Sequence, residues 1–379
     1  MSEPARAPLH AWLVAPLERD VHDAIERLRR AHDVRHVAVM PDVHLAQDVC
    51  IGVVIGTTRL IYPQAVGGDI GCGILAVPCD VDAGRLADAA TAGRVLAGLA
   101  RAVPARRRQR GMTQAPPPDV AGEALSHPQL DAVRRRDGAL EFATLGGGNH
   151  FAELQEDGEG RLWLMVHSGS RALGPAIRDH HLARADAVAS GLRALDADDA
   201  DGRAYLHDVG WARRYAAANR RQIALNIGAV LAGTLGATLQ WEQAITTDHN
   251  HVESEVHDGT RLWVHRKGAM AAGGGQWGAL PGSMGTVSFH VQGRGCALAL
   301  CSSAHGAGRL MSRSAARRRV TARALRRQMD GIWYDYRHAE QLRDEAPSAY
   351  KDIRAVARAQ AELVRIRRVL RPLLNHKGG

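Results

Sequence analysis

Six short stretches of the chain carry side chains that can bind a metal ion or a phosphate, each beside glycines or after an apolar run. They are MPDVH (40–44), VGGDIGCG (66–73), LGGGNHFAE (145–153), VHSGSR (166–171), DHNH (248–251) and SSAHGAGR (302–309). One carboxylate, one thiolate and three imidazoles stand out among them: Asp69, Cys72, His150, His167 and His249. This mixture suits Zn, Mn, Fe or Co, and a thiolate sulfur can bridge two ions. The spacing is not that of a structural zinc finger.

Each histidine taken alone also has a structural interpretation. A single histidine beside a strand is more often a hydrogen-bonded structural residue than a ligand, and we interpret His44, His251 and His265 in this way. His305 is different because it lies in AHGAGR, followed by Arg309 and Arg313. A histidine in a glycine-lined, arginine-rimmed pocket can act as a nucleophile towards phosphorus. The alternative is a further metal ligand or a structural histidine.

Three other stretches are suited to binding phosphate. HSGSR supplies hydroxyls and Arg171, HRKG supplies Arg266 and Lys267, and PGSMGTVS (281–288) could form an anion nest from backbone amides. The chain contains neither GxxxxGKS nor GxGxxG between a strand and a helix. The two common nucleotide-binding folds are therefore not supported.

Composition is that of a globular enzyme with a basic surface. The 379 residues are 45% hydrophobic and 23% charged, and the net charge is +9, most of it from arginine. This excess indicates either a polyanionic partner such as nucleic acid or a genome that prefers arginine codons. Five cysteines without framework spacing favour a reducing compartment. No secretion signal or uncharged apolar run of about 18 residues is evident, so we expect a cytoplasmic protein without membrane contact.

Helices and short strands alternate without a regular βαβ rhythm, which indicates an α+β fold. Residues 105–119 are basic and then proline-rich, so we expect an exposed loop there. The chemically capable stretches are spread over the whole length, and we therefore expect one catalytic domain over residues 1–379. The pattern predicts helices over 17–32 and 82–103, and one long helix or two shorter ones over 204–236. Residues 351–373 are predicted to begin as a helix whose apolar side is formed by Ile353, Val356, Ala357, Ala361 and Val364. Strands are predicted in HVAVMPDVHL, CIGVVIGTTRLIYPQAV and RLWLMVHSGSR.

Taken together, the motifs resemble those of the RtcB family of RNA-splicing and RNA-repair ligases. The resemblance covers residues 36 to 378 and includes HRKGA, LPGSMG, HGAGRLMSR, DEAPSAYKDI and a C-terminal HKG. It implies a single RtcB-like domain with mixed β-sheets and helices around a central cleft, and an enzyme that uses GTP and two Mn(II) ions. Such an enzyme joins an RNA 3′-phosphate or 2′,3′-cyclic phosphate end to a 5′-hydroxyl end, through a histidine–GMP and an RNA-(3′)pp(5′)G intermediate. An activating protein partner is compatible with this resemblance.

The resemblance also implies a role for individual residues. His305 would be the guanylylated nucleophile, and Cys72 would bridge the two ions. His167 and His249 would complete the coordination of one ion, and Asp69 and His150 would complete that of the other. The guanosine nucleotide would be bound by Asn149, Glu153, Ser283, Ser288, Gly306, Ala307, Gly308, Tyr350 and Lys377, and the RNA phosphates by Asn149, Arg171, Lys267 and Arg313.

The chain departs from the family pattern at three places. AQD (46–48) replaces a glycine-rich segment, Gly68 replaces a larger aliphatic residue before Asp69, and MAAGGGQWG (270–278) follows HRKGA. These changes put the choice of RNA in question, and we interpret the protein as a divergent, shorter paralogue. Two other hypotheses are a metal-dependent hydrolase or cyclic phosphodiesterase that heals RNA ends, and an RNA-binding protein with a structural metal site. In the second of these, the clusters Arg106–Arg108 and Arg317–Arg319 would contact RNA.

Overall fold

The computed structural model describes residues 6–109, 111–188 and 190–378, in which helices and strands are mixed as an α+β fold requires. The helices are α1 (Arg19–Arg29), α2 (Ala89–Ala102), α3 (Pro118–Ala121), α4 (Pro128–Glu141), α5 (Leu173–Arg184), α6 (Ala200–Leu235), α7 (Arg313–Arg319), α8 (Ala322–Gln328) and α9 (Ile353–Ala359). The first strands are β1 (Leu9–Ala11), β2 (Val34–His44), β3 (Ile51–Thr57), β4 (Leu60–Ile61), β5 (Gly73–Asp82), β6 (Phe151–Glu156), β7 (Arg161–Ser168), β8 (Asp186–Ala187) and β9 (Arg193–Asp196). The remaining strands are β10 (Ile245–Asp248), β11 (Asn250–His257), β12 (Thr260–Lys267), β13 (Ala269–Ala271), β14 (Trp277–Leu280), β15 (Ser288–Gly293), β16 (Ser302–Ala304), β17 (Trp333–Tyr334) and β18 (Val364–Lys377).

Two large sheets form the framework. One has five strands in the order β1-β2-β3-β12-β11, and the other has the order β10-β5-β7-β6-β18-β15-β14, with β17 beside β18. Most pairs in the second sheet are antiparallel, although its neighbours come from distant parts of the sequence. The C-terminal strand β18 therefore completes a sheet whose first strand in the sequence, β5, begins at Gly73.

The long helix α6 covers one face of the eight-stranded sheet. Its sequence is rich in alanine and leucine, which favour helix, and Ile223, Ile227 and Leu231 are buried in a cluster with side chains of β5 and β7. Gly236 ends the helix with a φ of 65°, a left-handed conformation that glycine adopts at little cost. The prediction over 204–236 is confirmed as one helix, which begins at Ala200.

The helix predicted at the beginning of residues 351–373 is confirmed, but it does not extend as far as Val364. Helix α9 ends at Ala359, and β18 begins at Val364. The apolar side chains after Ala359 serve a strand, because β18 pairs with β6 on one side and β15 on the other. Pairing with distant strands has overridden a local helical pattern here.

The loop predicted over 105–119 is mostly exposed and irregular in its described part, and its last residues enter α3 at Pro118. Residue 110 lies outside the described residues. Two of its arginines are held by protein groups: Arg107 pairs with Glu141, and Arg108 donates to the carbonyl oxygens of Ala102 and Ala143. In the part of the chain that the structure describes, no helix is both long and apolar enough to cross a membrane.

Candidate metal and nucleotide site

Neighbouring strands of the eight-stranded sheet bring Cys72, His167 and His249 to one edge. Cys72 directly precedes β5, whose first residue Gly73 pairs with Asp248 at the end of β10, and His249 follows directly. His167 is the penultimate residue of β7, the strand on the other side of β5. A Cβ at Gly73 would lie 2.0 Å from the backbone oxygen of Thr247, so this close approach of strands requires glycine.

The same edge also receives His150 and Asp69. His150 directly precedes β6, whose first residue Phe151 pairs with His167. Asp69 lies in the turn before β5, where the amide nitrogen of Cys72 donates to its carbonyl oxygen at 3.0 Å. Five residues that span 181 positions of the sequence thus reach one place through strand register.

The ligand atoms form two overlapping groups. Cys72 Sγ lies 3.1 Å from His167 Nε2 and 3.3 Å from His150 Nε2. His167 Nε2 lies 3.3 Å from His249 Nε2, and His150 Nε2 lies 2.9 Å from Asp69 Oδ2. Within each group, one of Cys72, His167 and His249 and the other of Asp69, Cys72 and His150, the ligand atoms all lie within 4.8 Å of one another. Cys72 belongs to both groups.

The protonation of His167 fits a cation in the first group. Its Nδ1 lies 3.2 Å from the carbonyl oxygen of Asn149, which can only accept, so Nδ1 carries the proton. The Nε2 lone pair then faces Cys72 and His249. Burial lowers the pKa of both His167 and His249 well below the usual value, so the imidazoles are neutral and available as ligands.

The pKa values of the Cys72 thiol and the Asp69 carboxyl group are shifted in opposite directions. Burial and the Asp69 carboxylate raise the pKa of the Cys72 thiol well above its usual value. Partial burial would also raise the pKa of Asp69, but the charge of His150 and its hydrogen bond outweigh burial and lower it. A bound cation favours the thiolate form of a ligating cysteine. The donor set therefore fits a metal centre, and the charges of Arg220 and Arg171 also favour the thiolate, less strongly than burial and Asp69 oppose it.

Arg171 influences the second group. Its Nη1 lies 3.1 Å from His150 Nδ1, and a guanidinium can only donate, so this contact places the imidazole proton on Nε2. Binding a cation at His150 Nε2 would therefore require Arg171 to leave Nδ1. Gly169 makes room for the neighbouring carboxylate, because a Cβ there would lie 2.2 Å from Asp69 Oδ1.

His305 lies beside the metal-capable cluster. It follows β16, and its ring centroid is 4.6 Å from that of His249. Its Nδ1 lies 2.7 Å from Asp42 Oδ2, at an angle outside that of a well-formed hydrogen bond, and its amide nitrogen donates to the same oxygen at 3.2 Å. Gly308 permits this approach, because a Cβ there would lie 2.2 Å from the carbonyl oxygen of Asp42.

A cavity of about 790 Å³ opens from His305, large enough for a nucleotide. Every residue for which the resemblance implied nucleotide binding lines it, and so does Arg313, although Arg171 and Lys267 do not. The predicted residues in its wall are Asn149, Glu153, Ser283, Ser288, Gly306, Ala307, Gly308, Tyr350 and Lys377. The cavity and the metal-capable cluster meet at His167 and His305.

Glu153 is the buried acid of this cavity. Both its carboxylate oxygens accept hydrogen bonds from side-chain amides, one from Gln155 at 2.6 Å and the other from Asn375. Burial raises the pKa of Glu153 to about 8, against the opposing effects of these two amides and of Lys377. A carboxylate here is suited to accept from the N–H groups of a guanine base.

A second buried acid, Glu345, organises the opposite wall and was missed by the sequence analysis. It pairs with Lys377 and Arg313, accepts from Tyr350 at 2.7 Å, and lies 3.2 Å from Nη1 of Arg309. Burial raises the pKa of Glu345, but Lys377 and Arg313 outweigh burial and hold it at about 2. Its position within DEAPSAYKDI was the only feature of the sequence that could have indicated a role for Glu345. The sequence did not show that Glu345 pairs with Lys377.

Asp42 was likewise missed, although it lies in MPDVH. Lys351 supports the same segment by donating to the carbonyl oxygens of Pro41 at 3.0 Å and Val43 at 2.6 Å. Arg220 of α6 is a third missed residue: it is buried and donates to the carbonyl oxygens of Gly71 and Ser168.

The three histidines interpreted as structural are engaged by protein groups. His44 Nδ1 lies 2.9 Å from the carbonyl oxygen of Asp42, His251 Nδ1 lies 3.1 Å from Asp248, and His265 accepts from the amide of Tyr62 at 3.0 Å. None of the three belongs to the metal-capable groups found among the described residues.

These features point to a class of protein: a cluster of one carboxylate, one buried thiol and three buried imidazoles beside a nucleotide-sized cavity is the kind of site that suits a metal- and nucleotide-dependent enzyme. The family model described as tRNA-splicing ligase RtcB matches residues 25–136 and 119–378. The chain belongs to the RtcB family.

Similar proteins agree with this assignment. The RNA-splicing ligase RtcB of Escherichia coli strain K12 is 34% identical over 402 residues, which cover 98% of each chain. RtcB1 from another Escherichia coli strain shows the same identity and coverage. A tRNA-splicing ligase RtcB from Archaeoglobus fulgidus is 28% identical over 431 residues, with 93% of this chain and 89% of that protein covered.

Proposed function

We propose that the protein is an RNA ligase that joins 3′-phosphate or 2′,3′-cyclic phosphate ends to 5′-hydroxyl ends, using GTP and two Mn(II) ions, in RNA repair or tRNA splicing. The observation that carries the proposal is the position of His305, between the metal-capable cluster and the cavity. Relatives named as RNA-splicing ligases along the full chain length support the same activity. We include the whole chain, 1–379, in one catalytic domain that acts on RNA in the cytoplasm.

In the first step, a lone pair of the His305 imidazole attacks the α-phosphorus of GTP. The new nitrogen–phosphorus bond replaces the bond to the β-phosphate oxygen, and pyrophosphate leaves. Asp42, 2.7 Å from Nδ1, is placed to hold the proton there, which leaves Nε2 as the nucleophile. The Asp42 carboxylate also stabilises the positive charge that develops on the ring.

In the second step, an oxygen of the RNA 3′-phosphate attacks the phosphorus of the His305 adduct, and the imidazole leaves. The 5′-hydroxyl oxygen then attacks the RNA 3′-phosphorus, GMP leaves, and the hydroxyl proton is released. A 2′,3′-cyclic end is first opened by water to the 3′-phosphate. These steps regenerate the free His305.

Different residues would bind the metal ions, the guanosine and the RNA phosphates during these steps. His167, His249 and Cys72 would hold one Mn(II) ion, and Asp69, His150 and Cys72 the other. Bound cations supply charge that offsets the triphosphate and polarises the attacked phosphorus. Glu153, Ser283, Ser288, Tyr350 and Lys377 would bind the guanosine with Gly306, Ala307 and Gly308, and Asn149, Arg171, Lys267 and Arg313 would bind RNA phosphates.

The test is formation of the covalent adduct. The protein is incubated with Mn(II) and GTP labelled at the α-phosphate, and we expect an acid-labile protein–GMP adduct. His305→Ala should remove the label, whereas His207→Ala, at a partly exposed histidine of α6, should retain it. An unlabelled wild type would overturn the ligase mechanism, and label on His305→Ala would overturn only the choice of nucleophile.

A joining assay separates the ligase from an end-healing hydrolase. An RNA with a 2′,3′-cyclic phosphate and a second RNA with a 5′-hydroxyl are supplied with GTP and Mn(II). The ligase yields a joined product that depends on GTP. Opening of the cyclic end without joining would instead support the hydrolase.

A further inference from the structure

Two consecutive glycines beside Asp69 leave room for two cationic side chains. A Cβ on Gly67 would lie 3.2 Å from Cε of Lys267. A Cβ on Gly68 would lie 2.7 Å from Nη1 of Arg178 and 3.2 Å from its Cζ. The Arg178 guanidinium therefore occupies the volume that a larger side chain at position 68 would need.

Arg178 forms only a weak, exposed ion pair within the protein. It projects from α5, and its acidic partner is the adjacent Asp179, whose Oδ1 lies 2.7 Å from Nε and 2.6 Å from Nη2. The Asp179 side chain is 62% exposed, and an exposed pair of this kind contributes only about 0–1 kcal/mol. No second carboxylate pairs with Arg178 within residues 6–109, 111–188 and 190–378. The guanidinium can therefore turn to a more strongly charged ligand.

Lys267 adds a second cation nearby, which forms no salt bridge with a carboxylate of the described residues. Its Nζ donates to the carbonyl oxygens of Gln47 at 3.2 Å and Val49 at 2.7 Å, and these carry no full negative charge. Lys267 and Arg178 lie against the adjacent Gly67 and Gly68, so their charges repel each other. Burial lowers the pKa of Lys267 to about 8; the charge of Asp48 opposes this shift and that of Arg178 contributes to it. AQD (46–48), which holds Gln47, thus contacts the same rim as Gly68.

The rim lies at the open side of the metal-capable cluster. Asp69, next to Gly68, keeps 36% of its side-chain surface exposed, and Arg171 contacts His150 behind it. Arg178 and Lys267 therefore lie beside the two glycines that precede Asp69, and a polyanion would relieve the repulsion between these two cations.

We propose that Arg178 binds a backbone phosphate of the RNA beside the ends being joined, and that Gly68 is small in order to admit its guanidinium. Arg178 would thus act as a further RNA-phosphate contact, in addition to Lys267. The inference rests on the proposed function, since RNA is the polyanion that the reaction supplies. Guanidinium groups bind phosphate through two parallel hydrogen bonds, which fixes orientation as well as affinity.

The first experiment compares Arg178→Ala with the wild type in two separate assays. In RNA joining, we expect the KM for RNA to rise by about tenfold, and the slope of log affinity against log salt to fall by about 0.7, the change for one phosphate on a single strand. Formation of the GMP adduct involves no RNA and should proceed at the wild-type rate. Arg178→Lys should restore part of the RNA affinity.

Arg184→Ala is the matched control, because Arg184 lies on the same helix and faces Asp201 and His180 instead of Gly68. It should leave both the KM for RNA and the salt slope unchanged. If Arg178→Ala has the same KM and slope as the wild type, the inference is overturned while the proposed function stands. Absence of the GMP adduct in the wild type would instead overturn the proposed function.

A second variant tests the link with Gly68 without removing a charge. Gly68→Ala should push the flexible guanidinium aside and weaken RNA binding in the wild-type background. The same substitution should have no further effect in the Arg178→Ala background, since a double-mutant cycle reports coupling only between interacting residues. Equal effects of Gly68→Ala in the two backgrounds would overturn the proposed link.

Discussion

Nδ1 of His305 lies 2.7 Å from Oδ2 of Asp42, although 263 positions separate the two residues in the sequence. The contact joins the end of the MPDVH segment in β2 to the loop after β16. The Asp42 carboxylate thus lies against the imidazole that lines the cavity, at an angle outside that of a well-formed hydrogen bond. The surroundings of His305 therefore depend on a residue from the five-stranded sheet.

Asp42→Asn tests this relationship, because it keeps the shape of the side chain and removes its charge. We expect the rate of GMP adduct formation to fall by about 10²- to 10⁴-fold, because the same change at the aspartate that orients the histidine of a Ser-His-Asp triad costs about 10⁴-fold. The assay follows labelled GTP under single-turnover conditions, with metal content measured in parallel. Unchanged metal content with a slower rate would support orientation, whereas a wild-type rate would contradict the role of Asp42.

Cys72 is common to both metal-capable groups, so its loss should affect both ions. We expect Cys72→Ser to bind less than two equivalents of Mn(II) or Co(II), to lose the thiolate-to-cobalt absorption band, and to form no GMP adduct. Cys79→Ser is the matched control, since Cys79 is equally buried on β5, the strand that Cys72 directly precedes, but lies outside both groups. Two tightly bound equivalents in Cys72→Ser would show that the sulfur is not shared.

Residue types and family resemblance predicted the candidate ligand set, because a carboxylate, a thiol and imidazoles beside glycines are visible in the sequence itself. Their convergence follows from strand register, such as the pairing of Gly73 with Asp248, which the sequence did not predict. The roles of Asp42 and Glu345 were not predicted for the same reason. Only the fold brings Asp42 against His305 and Glu345 against Lys377.

The error at 351–373 has a related cause. Ile353, Val356 and Ala357 do form the buried side of a helix, but the apolar residues from Val364 onwards pack in a strand. A local period cannot show that β6 and β15 leave a position between them for a 14-residue strand. Pairing with distant strands therefore determines the structure from Val364 onwards, and the local sequence pattern does not show this pairing.

Glu153 should make stability depend on pH. Its pKa is raised from 4.5 to about 8 by burial, so the folded protein retains a proton that the unfolded chain has lost across this window. Stability therefore falls as the pH rises from about 4.5 to about 8, and Glu153→Gln should remove this fall. We expect the Tm of the variant to exceed that of the wild type by several degrees at pH 8.5 and by less at pH 5.

The control is Glu159→Gln, at a glutamate whose side chain is 77% exposed. Its Tm should follow that of the wild type at both pH values. A constant difference between Glu153→Gln and the wild type from pH 5 to 8.5 would show that Glu153 does not titrate in this range. GTP, which favours the carboxylate form through its guanine N–H donors, should narrow the difference at pH 8.5.

Arg220 should matter more for metal binding than for stability. It is buried, and its Nη1 donates to the carbonyl oxygens of Gly71 at 2.7 Å and Ser168 at 2.9 Å, which lie next to Cys72 and His167. Its hydrogen-bond partners are thus neutral, and Asp248, the thiolate form of Cys72 and Asp69 are the anionic groups that act on it. Arg220→Met removes a buried charge and leaves two carbonyls unpaired, effects that oppose each other in the free energy of unfolding.

We therefore expect Arg220→Met to change the free energy of unfolding by less than about 2 kcal/mol and to weaken Mn(II) or Co(II) binding by about 10- to 100-fold. Arg213→Met is the matched control on the same helix, because Arg213 pairs with Asp248 at 2.7 Å and contacts neither carbonyl. Urea unfolding and metal titration are measured on both variants. A large loss of stability with unchanged metal affinity would assign Arg220 to the core alone, because a residue that balances the thiolate must affect the ions it helps to bind.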